Sequence, residues 1–260
     1  SLILATSSTN WHDATDLHRF VVDADGRLAY QGSGRVGGRP IDDHAIDESA
    51  AGTVRVATTQ WDGSNPSFPS WTSPTITRVT TFEPTAAPRP WPQLGETPPI
   101  APGETMTAAR FIGDRAYLVT VVRFVDPFVV VDLGDDTRPR VLGELKLPGF
   151  STYLHPVGPN HLLGIGMGPG AGGRNSVKAS LFDVTDPGSP REQATLELGP
   201  ADVSSEALWD RHAFSWYSPP ATAETIAAGL PSGGSAGTMA MPVIGRADAW
   251  LGSSDLSGLR

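Results

Sequence analysis

The chain has 260 residues, with 29 glycines, 24 prolines and no cysteine. This composition suits many short strands joined by tight turns, and it removes disulfides, cysteine-based zinc sites and thiol nucleophiles. The formal net charge of -9 disfavours nucleic acid and anionic membrane as partners, since both need a basic face.

In chain order, the apolar runs fall into units of short strands. The first unit holds Leu2 to Thr6, Leu17 to Val22 and Leu28 to Ser33. Its opening Leu2-Ile3-Leu4-Ala5-Thr6 reads as a strand already under way, so the chain is expected to be a piece of something longer. The second unit is looser: Asp43 to Glu48, Thr53 to Thr59, Thr75 to Phe82 and a weak Trp91 to Leu94. The third is the clearest. Met106 to Ile112 suits an inner strand, Gly113-Asp114 is a two-residue hairpin signal, and Arg115 to Val122 returns. Phe128 to Leu133 is a continuous apolar run, as a strand covered on both faces requires. After a turn at Asp135 to Pro139, Arg140 to Leu147 alternates as a half-exposed outer strand does.

The fourth unit repeats that order with Ser151 to Val157, His161 to Met167, Lys178 to Val184 and Glu192 to Leu198. Three further strands are expected at Ser205 to Trp209, His212 to Tyr217 and Thr238 to Val243. Three stretches read as irregular: Gln60 to Pro74 with Trp61, Phe68 and Trp71, the Pro-rich Pro84 to Pro102, and Ala221 to Gly237. No apolar run approaches the ~20 residues of a membrane-spanning helix. Arginine outnumbers lysine 17 to two, and with abundant alanine and glycine this points to a GC-rich genome.

A pattern returns through these units. Phe182-Asp183-Val184 echoes Val131-Asp132-Leu133, 51 positions earlier. Phe82-Glu83-Pro84 lies 49 positions before that, and Phe20-Val21-Val22 another 62. Self-similarity at ~40 to 50 residues, with short strands in each unit, is the signature of a β-propeller blade. The expected fold is all-β, a propeller of four-stranded antiparallel blades forming a single domain over 1–260. Its blades run approximately over 1–36 (partial), 42–96, 105–148, 150–199 and 204–246 (partial). Three whole blades and two partial ones of three strands each do not close a ring. Open blade faces are an association hazard, so another segment or a second copy of the protein is expected to complete the circle.

The run from Arg110 to Gly166 carries a resemblance, centred on RAYLVTVVRFVDPFVVVDLGDDTRPRVLGELKL. With Lys178 to Glu192 (KASLFDVTDPGSPRE), Ser205 to Phe214 (SEALWDRHAF), Gly32 to Val36 and Thr53 to Thr59, it resembles a family of secreted prokaryotic proteins with a C-terminal β-propeller distantly related to WD40 repeats. The resemblance implies an extracytoplasmic setting, secreted or anchored to the cell envelope. It implies no established activity and no catalytic residues. Val21 stands where the family has an Asp, and the Ala221 to Gly237 stretch is longer than the family pattern.

Candidate chemistry is sparse. Asp132 and Asp183 end their third strands, with Asp135, Asp136 and Asp186 close behind. Such carboxylates are ligands for calcium or another divalent metal, but their repetition in successive units favours turn chemistry, in which Asp accepts backbone amides two residues on. No cofactor is expected. Asp23-Ala24-Asp25-Gly26 matches the start of a calcium loop, lacks the downstream Glu, and reads as a hairpin. His44, His155, His161 and His212 sit near strand ends. Asp43, His44, His155 and Glu206 fall on expected first strands, which line the channel of a propeller, where imidazole and carboxylate together can hold a metal or act as acid and base. Gly233-Gly234-Ser235-Ala236-Gly237 matches a nucleophile elbow in letters only, because no strand precedes the serine and no helix follows it. Gly166-x-Gly168-x-x-Ala171 grazes the dinucleotide fingerprint without a helix to receive the phosphates. Tyr117, Phe128, Phe182, Phe214 and Trp216 read as core.

The expectation is therefore an extracytoplasmic binding or scaffolding module without catalytic activity, partnered by a protein or glycan of the cell envelope. The alternative is a hydrolase, lyase or metal-binding protein with a His/Asp site at the channel.

Overall fold

The computed structural model of the chain describes residues 1–7, 14–61, 75–85, 90–122, 125–170, 175–199, 203–217 and 237–245. Among the described residues there are seventeen strands in five antiparallel sheets, and no α-helix. The first sheet is β1 (Leu2–Ser7), β2 (Ala14–Val22) and β3 (Leu28–Gly37). The second is β4 (Ile46–Glu48), β5 (Val54–Trp61), β6 (Thr75–Phe82) and β7 (Gln93–Glu96). The third is β8 (Thr105–Ile112), β9 (Arg115–Val121), β10 (Val125–Asp132) and β11 (Arg140–Pro148). The fourth is β12 (Phe150–Pro156), β13 (His161–Pro169), β14 (Asn175–Asp183) and β15 (Arg191–Glu197). A two-stranded sheet of β16 (Ser215–Tyr217) and β17 (Thr238–Ala240) follows. The four larger sheets each take their strands in chain order, so the chain is a series of meandering antiparallel blades.

The residues fall into two compact units, one of Ser1–Arg123 with Pro127–Glu144, the other of Phe124–Asp126 with Leu145–Arg260. In the first unit, sheet packs on sheet through the alternation of side chains along each strand. On β5, Val54 and Val56 share one face and Ala57 lies on the other. Val54, Val56 and Phe82 join Leu17 and Val36 of the first sheet and Trp91 in one buried cluster. From the opposite face, Ala57 and Val79 join Ala116, Leu118, Val129, Val131 and Leu133 of the third sheet. In the second unit, Leu163, Ile165 and Ala179 of the fourth sheet pack with Ala207 and Phe214, and with Trp216 and Met239 of the last sheet.

Two turns show the local chemistry. Gly113 has φ +56°, the left-handed value that a two-residue hairpin needs and that glycine adopts without penalty. Asp23 accepts the amides of Asp25 and Arg27 through Oδ1 at 2.9 and 2.8 Å, so Asp23 to Gly26 is the hairpin expected and its leading carboxylate is engaged by the backbone.

Three expected strands are corrected. Asp43 to Glu48 begins as a 3-10 turn over Asp43–Ala45, and only Ile46–Glu48 is extended. Ser205 to Trp209 is a 3-10 turn over Glu206–Leu208. His212 to Tyr217 begins in another, Arg211–Ala213, before β16. The cause is the same each time. Asp42, Ser205 and Asp210 each accept the amide two residues on, and that cap folds the backbone into a turn where apolar spacing alone reads extended. The final unit therefore has two strands among the described residues. The weak strand at Trp91 to Leu94 shifts to β7, because Trp91 is buried and its amide bonds the Ser33 carbonyl at 2.7 Å. Phe68 and Trp71 lie outside the described residues, as do most of Ala221 to Gly237 and the serine of the elbow-like motif.

Candidate functional site

The carboxylates that close the third strands are structural. Asp132 Oδ1 accepts the Gly134 amide at 3.1 Å, and its Oδ2 receives the Arg140 guanidinium at 2.9 Å. Asp183 repeats the arrangement with the Thr185 amide at 2.9 Å and Arg191 at 2.6 Å. Asp135 and Asp186 cap the turns between, accepting the amides of Thr137 and Gly188. These bonds hold both strand-end carboxyls below the ordinary range. For Asp132 the leading cause is the Gly134 amide, followed in the same direction by Arg140. For Asp183 it is Thr185, again with the arginine behind it.

A carboxyl held below its unfolded value stabilises the fold above the ordinary carboxylate range, and that stabilisation is lost as pH falls through the folded value. Acid unfolding followed by circular dichroism is therefore expected to flatten in the doubly substituted D132N/D183N chain between about pH 5 and pH 2. An unchanged slope would remove these two groups from the account of acid stability.

Asp136 departs from the turn pattern expected for it. Its Oδ1 accepts from Arg55 Nε at 2.9 Å. Arg55 stands on β5 with a side chain only 3% exposed. It also donates to the Gly113 carbonyl at 2.8 Å and the Leu133 carbonyl at 3.2 Å, with Asp114 at 3.5 Å and Asp47 at 3.7 Å. Thr81 on β6 adds a bond from its hydroxyl to the Asp136 carbonyl at 2.5 Å. The second sheet is thus tied to the turns of the third by one buried cation. Burial pushes the Asp47 carboxyl up, against the opposing pull of Arg55.

The four candidate site residues are divided between the two units. Asp43 and His44 lie in the first, where Nδ1 of His44 is 3.5 Å from Asp43 Oδ1. Together with Asp42 they present three ligand atoms within 4.8 Å of one another. The imidazole is held below its ordinary value, first by burial and then by the charge of Arg110. Its neutral form is thereby favoured, which suits a metal ligand, whereas the nearby guanidinium opposes a bound cation. Asp42 Oδ1 is already engaged by the His44 amide at 2.9 Å. Three ligand groups, one of them nitrogen, fall short of the six to eight oxygens of calcium and leave a fourth position to water in a zinc-type site.

His155 and Glu206 lie in the second unit. His155 stands on β12 among aromatic rings. The Tyr153 hydroxyl is 3.1 Å from its Nδ1, and its ring centroid is 5.1 Å from Phe214 and 5.9 Å from Trp216. Phe214 is buried, while Tyr153, His155 and Trp216 are half-buried. Glu206 opens a 3-10 turn with an exposed side chain. The first-strand positions expected for Asp43, His44 and Glu206 are thus corrected to turns, and His155 keeps its strand. His212 is exposed and pairs with Asp210 at 2.9 Å.

The glycines behind the fingerprint-like motif also have a structural use. Gly166 lies on β13 opposite Ser151, at the bulge in the β12–β13 pairing. Any Cβ there would fall on the Phe150 carbonyl oxygen.

With this geometry established, the comparisons place the chain. The beta propeller domain family matches residues 1–226, and the chain belongs to it. It is 42% identical over 123 residues to an uncharacterized protein of Methanocaldococcus jannaschii, covering 47% of this chain and 19% of that protein. It is 44% identical over 111 residues to an uncharacterized protein of Archaeoglobus fulgidus, covering 43% of this chain and 17% of that protein. The matched segment therefore spans less than a fifth of either relative.

Proposed function

We propose that this chain is a binding or scaffolding β-propeller module that works outside the cytoplasm, recognises a protein or glycan of the cell envelope, and carries no chemistry of its own. The observation that carries the reading is the engagement of the strand-end carboxylates. Asp132, Asp135, Asp183 and Asp186 cap turns and Asp136 bonds Arg55. The carboxylates that recur from sheet to sheet thus build the scaffold. The resemblance to secreted propellers related to WD40 repeats supports the location and the role, since such folds present ligands to loops on a rigid frame. The test is affinity capture from solubilised cell envelope with the purified chain, followed by turnover assays on whatever is retained. A specific protein or glycan recovered unaltered is the expected result, and turnover abolished by one point change would overturn the reading.

A second reading, a metal-binding protein or a propeller hydrolase or lyase, is favoured by the Asp42, Asp43 and His44 cluster. Elemental analysis after dialysis against zinc and calcium separates the two. One metal per chain, lost on His44→Ala, selects the metal-binding form of the second reading, and a metal-free chain removes that form and leaves the hydrolase or lyase to the turnover assays.

A further inference from the structure

Alternation along β14 puts Lys178, Ser180 and Phe182 on the face opposite to Ala179, and Ala179 packs with Ala207 and Phe214. The side of the fourth sheet turned away from that core carries a cleft. Leu147, Pro148, Phe150 and Phe182 wall it, and its polar side chains are Ser151, Lys178 and Ser180. Its volume is about 10 Å³, room for one water-sized group. Glycine on β13 lets the surrounding side chains lie close to the sheet. A Cβ at Gly164, opposite Ser180, would fall 2.5 Å from Ser151 Oγ and 2.7 Å from a ring carbon of Phe182, and one at Gly168 would fall 2.8 Å from Lys178 Cδ.

Two polar groups here lack the bonds that buried groups ordinarily make. Ser180 is 3% exposed, and its hydroxyl has no hydrogen-bond partner among the described residues. Glu192 Oε1 is buried and accepts no hydrogen bond, although Lys178 Nζ stands 2.8 Å away. That contact is an ion pair without hydrogen-bond alignment. Glu192 lies opposite Phe182, so a pair formed with Lys178 reaches across the position of Ser180. The ammonium also approaches the Pro148 carbonyl at 3.4 Å.

These features select the chemistry of a guest. Ammonium and carboxylate cancel, so an ionic group gains no net attraction beside them. A hydroxyl suits the cleft because it both donates and accepts, and its size is that of the space. The carbon to which it is attached would meet the apolar walls. Lys178 and Glu192 side chains are 14% and 18% exposed, which places the pair at the solvent edge, where the rest of a larger ligand can extend. On a hexose, the exocyclic hydroxymethyl group projects beyond the ring and can enter so narrow a space.

We propose that the cleft over Ser180 is a subsite for the hydroxymethyl group of an uncharged hexose unit, an assignment that rests on the glycan form of the function proposed above. Ser180 and Lys178 donate to the incoming oxygen, and its proton turns to Glu192. Phe150, Phe182 and Pro148 exclude water around the contact.

The test is saturation-transfer NMR titration of the full chain with methyl glucoside, methyl mannoside and methyl galactoside, each beside its 6-deoxy counterpart. At least one glycoside should bind saturably, and its 6-deoxy form should bind about tenfold more weakly or worse, since buried polar groups are then left unpaired. Ser180→Ala should weaken the glycoside by a similar factor and leave the 6-deoxy form unchanged. Lys178→Met serves if that variant fails to fold, with circular dichroism as the control. A cleft that holds water only gives no saturable signal with any glycoside, and that overturns the proposal. Equal binding of the 6-deoxy form, or binding indifferent to both substitutions, does so too. Envelope capture that survives Ser180→Ala while no glycoside binds removes this subsite alone. Glycoside binding with nothing captured from the envelope keeps the subsite and removes the wider role.

Discussion

Replacement of Arg55 by methionine is expected to destabilise the first unit by roughly 3 kcal/mol, the lower end of the range for breaking a buried ion pair by removing one partner. The side chain is 3% exposed and donates to a carboxylate and two carbonyls. Methionine fills much the same volume, so the loss isolates the polar network from cavity formation. What remains is the Gly113 and Leu133 carbonyls without this donor, and Asp136 and Asp47 without their cation. Asp114 contributes little because its carboxylate is largely exposed and surface pairs are weak. Lysine should recover only part of the loss, since one ammonium cannot reproduce the fork that spans Asp136 and two carbonyls. Urea unfolding of R55M, D136N and the double variant supplies the test. A coupling energy near zero would mean that Arg55 and Asp136 act independently and that the latch between these sheets lies elsewhere.

The second large effect concerns a single methyl group. Gly166→Ala is expected to cost about 3 kcal/mol or more, at or beyond the upper end for overpacking. The added Cβ would meet the Phe150 carbonyl oxygen, with Ser151 Cα at 2.6 Å and Phe150 C at 2.7 Å. These are backbone atoms held in the β12–β13 ladder, so no side-chain rotation relieves the contact. Pairing at the Ser151–Gly166 step must open, and hydrogen exchange at β12 should report it before global unfolding does. By contrast, Gly113→Asn should be mild, because no atom lies within 4 Å of a Cβ there and asparagine tolerates positive φ. A G166A chain as stable as the original would show that β12 shifts freely, and would undo the reading of this glycine as a close-approach position.

The third sheet was legible in the sequence nearly strand for strand, because the turn signals at Gly113-Asp114 and Asp135 to Pro139 separate apolar runs of strand length. The three misread strands have a shared physical cause. Asp42, Ser205 and Asp210 carry side-chain acceptors within bonding distance of the amide two residues on, and a local bond of that kind outweighs apolar spacing over segments this short. Arg55 was missed for a different reason. Its signal, a charge inside the alternating run Thr53 to Thr59, was present in the sequence. Its partners Gly113, Leu133 and Asp136 lie 58 to 81 positions away, and no linear spacing connects them. The same limit governed the candidate site. Asp43 and His44 are adjacent and stayed together, whereas His155 and Glu206 belong to another compact unit.

The hairpins at Asp132–Arg140 and Asp183–Arg191 share one internal frame, and the first is held in addition by Arg55 and Thr81 of the second sheet. In each, the leading aspartate holds an amide two residues on and an arginine eight residues on. The frame is transplantable in one direction. Placing 131–140 in the position of 182–191 should leave the host strands in register, whereas the reverse exchange puts Pro187 where Asp136 meets Arg55 and loses that ion pair. Foreign peptides spliced between Asp183 and Arg191 would be displayed at a fixed spacing without redesign of the frame.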